Sequence, residues 1–143
     1  MKIPISKRLL CCAGFVEPGA RVADIGTDHG YLGIYLLKNG IARQVTACDL
    51  RPLPLRNAQE NAERFGVGAQ MEFLLSDGLE RVTPDRIDTV VCAGMGGDLI
   101  VAECQRVLSE EYPELSQKLR VMLPDEEFRR VGQSMAAASL PGV

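Results

Sequence analysis

The chain has 143 residues, of which 46% are hydrophobic and 24% are charged, and its formal net charge is −3. This length and composition are typical of one globular domain, and the acidic balance does not support the nucleic-acid partner that a strongly basic domain would indicate. No apolar run approaches the ~18 residues of a membrane-spanning helix. We predict one domain over residues 1–131 and an irregular tail over residues 132–143, which are rich in Ala, Ser, Gly and Pro.

The cysteine pattern argues against a metal centre. The five cysteines are Cys11, Cys12, Cys48, Cys92 and Cys104. None of them forms a CxxC pair, and the chain has a single histidine. A structural zinc site needs Cys and His ligands in close pairs. We therefore predict reduced cysteines that pack as small apolar side chains in a cytoplasmic protein without a metal.

The N-terminal half alternates helices and strands. Ser6 is placed to cap a helix that runs to about Phe15. A signal peptide is the alternative, but the apolar run over residues 9–16 is short and leads almost directly into the next element. A buried strand is predicted over residues 20–26, followed by a helix over residues 31–38 that Asn39 and Gly40 close.

The alternation continues to the end of the domain. Further strands are predicted over residues 44–48, 70–75, 87–92 and 118–123, and further helices over residues 52–65, 98–108 and 125–130. This order is typical of an α/β fold with a parallel sheet. The expected architecture is an open, mostly parallel, Rossmann-like sheet of about five strands, with helices on both faces and a truncated C-terminal part.

The loop after the first strand carries acidic chemistry at the sheet edge where ligands bind. Asp24 and Gly26 end the strand, and Asp28 stands where a G-x-G-x-x-G motif has its second glycine. A carboxylate there would repel a pyrophosphate. S-adenosyl-L-methionine (SAM) has no phosphate and carries a sulfonium and an ammonium group, so the loop favours SAM over NAD. An NAD-dependent dehydrogenase fragment is therefore disfavoured.

Two later strands also end in acidic residues. Asp49 lies 23 residues after Gly26, at the spacing where an acid accepts hydrogen bonds from ribose hydroxyls; the alternative role is capping the next helix. Asp77 follows the third strand, where its carboxylate would accept a hydrogen bond from an adenine amino group. Gly78 would leave room for the ring. An ordinary Asp-Gly turn is the alternative.

The fourth strand is followed by a glycine-rich loop that includes Ala93, Gly94 and Met95. Three glycines within residues 94–97 indicate either a close approach of the backbone to a ligand or a tight strand-to-helix turn. The alternative for Met95 is that its side chain packs in the hydrophobic core. We assign Ala93, Gly94 and Met95 to the cofactor site as a prediction.

Together these motifs resemble the tRNA (adenine(22)-N1)-methyltransferase family, a bacterial, SAM-dependent group with a class I Rossmann-like fold. The resemblance rests on the combination of D-I-G-T-D-H-G-Y-L with A-G-M-G-G, and it spans roughly residues 5–123. It implies methyl transfer from SAM to N1 of adenine 22 in tRNA. It also implies that Asp24 and Gly26 contact the methionine part of SAM, Asp49 the ribose and Asp77 the adenine.

The resemblance further places Asp28, His29 and Tyr31 against the target base. Methylation at N1 makes the base positively charged, so Asp28 would stabilise that charge or accept the N6 proton. Either Tyr31 or His29 would stack on the base. The alternative roles are helix packing for Tyr31 and an exposed loop position for His29.

The chain departs from the family pattern in three ways. Gly33 replaces a proline, Asp49 replaces a glutamate, and the C-terminal helical domain associated with tRNA binding has no counterpart. A truncated, non-catalytic SAM-binding fragment and a methyltransferase acting on a small molecule therefore stay open as alternatives. An exposed sheet edge also makes a homodimer plausible.

Overall fold

The structure is a computed structural model that describes residues 2–92. The predicted helices over residues 98–108 and 125–130, the predicted strand over residues 118–123 and the predicted tail lie outside the described residues. The main elements are α1 (Lys7–Ala13), β1 (Ala20–Ile25), α2 (Tyr31–Lys38), β2 (Ala42–Asp49), α3 (Pro52–Arg64), β3 (Met71–Leu75) and β4 (Thr89–Val91), with 3₁₀ turns at Gly68–Gln70 and Pro84–Arg86.

The four described strands form one parallel sheet in the order β3-β2-β1-β4. This arrangement confirms the predicted Rossmann-like α/β fold. The register pairs Asp24 of β1 with Ala47 of β2, and Asp49 of β2 with Leu75 of β3. The carboxyl ends of β1, β2 and β3 therefore meet at one edge of the sheet, where the predicted ligand loops begin.

The element boundaries differ from prediction mainly in two strands, β2 and β4. β2 begins at Ala42 because this residue already pairs with Ala20 of β1. β4 is shorter than predicted, since its ladder starts only at Thr89. Just before it, the Asp88 carboxylate accepts a hydrogen bond from the Arg21 backbone N–H at 3.0 Å, so a side chain replaces a ladder partner at this point.

The N-terminal helix α1 forms as predicted but is shorter. The Ser6 hydroxyl accepts a hydrogen bond from the Leu9 backbone N–H at 3.2 Å, which is the expected N-cap interaction. The helix ends at Ala13 rather than near Phe15. Its buried face, which includes Cys12 and Ala13, belongs to the same core cluster as buried residues of α2.

Three cysteines pack in the core as predicted. Cys12, Cys48 and Cys92 are buried, whereas Cys11 is exposed. Burial raises the pKa of the Cys48 thiol to about 12, and the nearby Asp24 carboxylate acts in the same direction. The Cys48 thiol is therefore protonated at neutral pH and behaves as a small apolar side chain.

Two glycines let helices approach their neighbours closely. A Cβ atom on Gly33 would lie 2.9 Å from Cγ1 of Val45, so the residue that departs from the family proline occupies a tight contact between α2 and β2. A Cβ atom on Gly30 would lie 2.9 Å from the Cβ of Ala58 in α3. Gly30 also has a φ of +77°, a left-handed conformation that side chains disfavour.

Replacing Gly30 with alanine is therefore expected to lower the free energy of unfolding by about 2–5 kcal/mol, as the sum of left-handed strain and overpacking. Gly40→Ala is the matched control, because Gly40 has a φ of +67° but no neighbouring atom of the described residues lies within 4 Å of the added Cβ. The free energy of unfolding of Gly40→Ala should therefore fall by only about 1–2 kcal/mol, from the left-handed strain alone. Urea unfolding of both variants measures the difference, and equal losses would contradict a packing role for Gly30.

Within the described part of the chain, no helix is both long and apolar enough to cross a membrane. Residues 2–92 also contain no group of three or more His, Cys, Asp or Glu side chains arranged to hold a metal ion.

Candidate cofactor and substrate site

The loop between β1 and α2 folds back over the end of β2. The backbone N–H groups of Gly26 and Thr27 both donate to the Cys48 carbonyl, at 2.9 and 2.8 Å. Gly26 adopts a φ of +75°, which a glycine tolerates without strain. This turn brings the predicted residues Asp24, Gly26 and Asp49 to one place at the sheet edge.

Asp24 is a buried carboxylate at the centre of this edge. Its side chain accepts a hydrogen bond from the Thr27 hydroxyl at 3.0 Å, and only 2% of the residue is exposed. Burial raises its pKa to about 6; the Thr27 hydrogen bond opposes this shift, and the Asp49 carboxylate adds to it. Asp24 is thus mostly ionised at neutral pH, and within residues 2–92 it forms no ion pair with a lysine or arginine.

Asp49 is almost as buried, at 5% exposure, and its carboxylate orientation is determined by the backbone. One oxygen accepts the Asp28 backbone N–H at 3.2 Å, and the other accepts the Arg51 backbone N–H at 3.0 Å. The Arg51 guanidinium lies 3.7 Å away, on a side chain that is 69% exposed. The N-cap of α3 is Arg51, so Asp49 does not have the alternative role of capping that helix.

The turn after β3 is organised by Ser76, which sequence analysis did not single out. Its buried hydroxyl donates to the Gly78 carbonyl at 2.9 Å and accepts the Arg81 backbone N–H at 3.1 Å. Gly78 has a φ of +58°, as a tight turn requires. Asp77 is exposed beside it, at the carboxyl end of β3 next to the end of β2. The turn geometry is present, and the adenine role of Asp77 stays a prediction.

Asp28, His29 and Tyr31 lie together on the outer side of the first loop. Asp28 has a φ of +54°, the only left-handed conformation of a non-glycine residue within the described ranges. The Nε2 atom of His29 lies 3.8 Å from the Asp28 carboxylate, and both side chains are more than half exposed. The His29 and Tyr31 rings are stacked, with centroids 5.6 Å apart and an interplanar angle of 27°. An exposed carboxylate thus stands beside an aromatic pair.

The predicted site residues Ala93, Gly94 and Met95 lie outside the described residues. Sequence analysis assigned no site role to three further side chains, which are Thr27, Arg51 and Asn61. Thr27 directly follows Gly26 in the first-loop motif, and this position could have indicated that its hydroxyl contacts Asp24. The contact of Asn61 with the first loop joins residues 32 positions apart, and no local pattern predicts it.

The residues at this edge fit SAM. A buried carboxylate without a cationic partner is costly, and a bound ammonium or sulfonium group would offset that cost. The second buried carboxylate, Asp49, has the acceptor capacity that ribose hydroxyls require. The Asp28 carboxylate, at the position of the second glycine of a dinucleotide-binding loop, would repel a pyrophosphate.

Comparison with known proteins agrees with this geometry. The family model described as "Methyltransferase domain" matches residues 5–138, which is most of the chain. The protein therefore belongs to the methyltransferase domain family.

Within that class, the chain is similar to tRNA (adenine(22)-N(1))-methyltransferase of Bacillus subtilis, with 33% identity over 122 residues that cover 85% of this chain and 50% of the relative. M. capricolum TrmK, solved with S-adenosyl-homocysteine, has 34% identity and a TM-score of 0.67, and the match covers 83% of this chain and 51% of that one. A Streptococcus pneumoniae protein solved with SAM has 32% identity and a TM-score of 0.69, over 88% and 59% of the two chains.

These findings confirm the predicted family resemblance. The chain spans about half the length of these relatives, since the matches cover 50%, 51% and 59% of their lengths.

Proposed function

We propose that this chain binds SAM and transfers its methyl group to N1 of an adenine in tRNA, at position 22. The observation that carries the proposal is the buried Asp24 carboxylate, which has no cationic partner within the described part of the chain and lies at the sheet edge beside Asp49. SAM is the methyl donor that the fold and the complexes of related proteins indicate. The tRNA substrate rests on similarity to the Bacillus enzyme.

Each binding residue supports this assignment in a specific way. Asp24 would offset the positive charge of the methionine ammonium, while Gly26 lets the backbone pass close to the ligand. Asp49 would accept hydrogen bonds from the ribose hydroxyls. The exposed Asp77 carboxylate would accept a hydrogen bond from the adenine amino group. Among residues 2–92, no neighbouring atom lies within 4 Å of a Cβ position on Gly78.

The first loop would hold the target base. SAM, when bound, supplies an electrophilic methyl group, and adenine N1 is a sufficient nucleophile without a covalent enzyme intermediate. The stacked His29 and Tyr31 rings offer an aromatic surface for a base. The Asp28 carboxylate is exposed beside them and would neutralise the positive charge on the methylated base or accept its N6 proton. The cytoplasm is the expected compartment for such a substrate.

Calorimetric titration with SAM and with NAD tests the cofactor assignment: we expect SAM binding and no NAD binding. Transfer from labelled SAM to a tRNA transcript with adenine at position 22 then tests the substrate. The matched control is the same transcript with guanine at that position. Methylation of both transcripts would contradict position 22 as the target. Binding of SAM without transfer to tRNA or to a small-molecule pool would indicate a non-catalytic SAM-binding module instead.

A further inference from the structure

A side chain of α3 holds the backbone of the first loop. The Asn61 side-chain amide donates a hydrogen bond to the His29 carbonyl oxygen at 2.9 Å. His29 lies between two left-handed residues, since Asp28 has a φ of +54° and Gly30 a φ of +77°. Within residues 2–92, the His29 carbonyl accepts its hydrogen bond from the Asn61 amide. The contact therefore restrains the loop at the residue between its two sharpest turns.

The orientation of this amide is itself determined by a neighbour. The Arg64 guanidinium donates to the Asn61 Oδ1 atom at 3.1 Å, which leaves the amide nitrogen directed at His29. The Arg64 guanidinium also lies 5.3 Å from the centroid of the Phe65 ring. One turn before Asn61, Ala58 supports the loop through its close contact with Gly30. The first loop thus rests on α3 at two adjacent points.

We propose that Asn61 is a positioning residue that keeps His29 stacked on Tyr31 and beside the Asp28 carboxylate. The inference rests on the proposed function for its catalytic consequence, because these three groups are the candidate base-binding residues. Within residues 2–92, the hydrogen bonds of Asn61 involve neither Asp24 nor Asp49. Its loss should therefore misplace the substrate groups and leave the cofactor groups in position.

Asn61→Asp is the sharpest test, since aspartate has nearly the same shape but no N–H to donate. Its carboxylate would face the His29 carbonyl oxygen and repel it. We expect methyl transfer to fall by roughly tenfold to 100-fold, the usual range for lost positioning, with SAM affinity within about twofold of wild type. Asn61→Gln retains the donor and should recover part of the activity. Gln59→Ala, which removes an exposed amide from the same helix, is the matched control and should change neither quantity.

A second readout does not depend on activity. His29 is the only histidine in the chain, so a protein without an affinity tag gives one set of imidazole signals in NMR spectra. The stacked rings predict a nuclear Overhauser effect between ring protons of His29 and Tyr31 in the wild type and in Gln59→Ala. This effect should be lost or strongly weakened in Asn61→Asp. Should that variant not fold, Asn61→Ala, which also lacks a side-chain donor, serves the same comparison.

The outcomes separate this inference from the proposed function. A wild-type chain that methylates no tRNA, but whose ring contact depends on Asn61, would overturn the function and support the positioning role. An Asn61→Asp protein that keeps the ring contact would overturn the positioning role, whatever its activity. A wild-type protein without the contact between the His29 and Tyr31 rings would also overturn the positioning role of Asn61.

Discussion

In an Asp24→Asn variant, the affinity for SAM is expected to fall by roughly 100-fold or more at pH 7, because the loss of one partner of a buried ion pair costs about 3–5 kcal/mol. The amide retains the shape of the side chain and can still accept the Thr27 hydrogen bond. Calorimetric titration of both proteins with SAM measures the change. The affinity of the wild type should also weaken as the pH falls below about 6, where Asp24 becomes protonated, whereas the variant lacks this pH dependence.

The same substitution should stabilise the protein without its ligand. The folded-state pKa of Asp24, about 6, lies above the ordinary value of 3.8, so the folded state binds this proton more tightly than the unfolded state does. Stability is therefore lost as the pH rises from 3.8 to about 6 and Asp24 ionises. Above pH 6, the ionisation of buried Asp24 costs up to about 3 kcal/mol of folding free energy. Asparagine does not ionise and avoids this cost.

Urea unfolding of both proteins at pH 4 and pH 8 tests this linkage. The variant should be more stable at pH 8, and the difference should shrink at pH 4. Asp85→Asn, at an exposed carboxylate in the Pro84–Arg86 turn, is the control and should change stability little. A variant less stable than the wild type at pH 8 would show that the ionised Asp24 already has a compensating partner in the protein. That result would contradict the proposal that Asp24 lacks a cationic partner until SAM binds.

Replacing Asp28 with asparagine should lower methyl transfer by roughly 100-fold, within the usual range for the loss of an acid–base or charge-stabilising group. Asparagine tolerates the left-handed conformation that Asp28 adopts, with a φ of +54°. The backbone N–H at this position would still donate to Asp49. We therefore expect SAM affinity within about twofold of wild type, because the substitution leaves the backbone hydrogen bond to Asp49 in place.

Single-turnover methylation of a tRNA transcript, with SAM at saturation, measures this effect. Asp85→Asn again serves as the matched control, because it removes an exposed carboxylate away from the first loop. Full methyl transfer by Asp28→Asn together with normal SAM affinity would exclude the charge-stabilising role. A parallel loss of SAM affinity would instead indicate that the side chain acts through Asp49.

The two variants probe different parts of one site. Asp24 is buried, and the proposal assigns it to cofactor binding, whereas Asp28 is exposed, and the proposal assigns it to the base. The loop that connects them is anchored by the Cys48 carbonyl on one side and by Asn61 on the other. If these assignments hold, binding and transfer should be separable by mutation.

Local sequence pattern determined most of the architecture. The bounds of α2 agree with prediction, since Tyr31 to Lys38 has helical apolar spacing and Asn39-Gly40 ends the helix. Asp24 and Asp49 were predicted to meet because consecutive parallel strands place their carboxyl ends at one edge. Those inferences needed only periodicity, turn residues and the geometry of a βαβ unit.

Tertiary structure decided the properties that depend on distant residues. The raised pKa of Asp24 arises from its burial and from Asp49, and neither effect is visible in the D-I-G motif itself. The orientation of the Asp49 carboxylate depends on the backbone of Asp28, and that of the His29 carbonyl depends on Asn61. Burial, electrostatic coupling and hydrogen bonds between separate elements are set by packing in space, so a linear pattern indicates which residues are candidates but not how they act on one another.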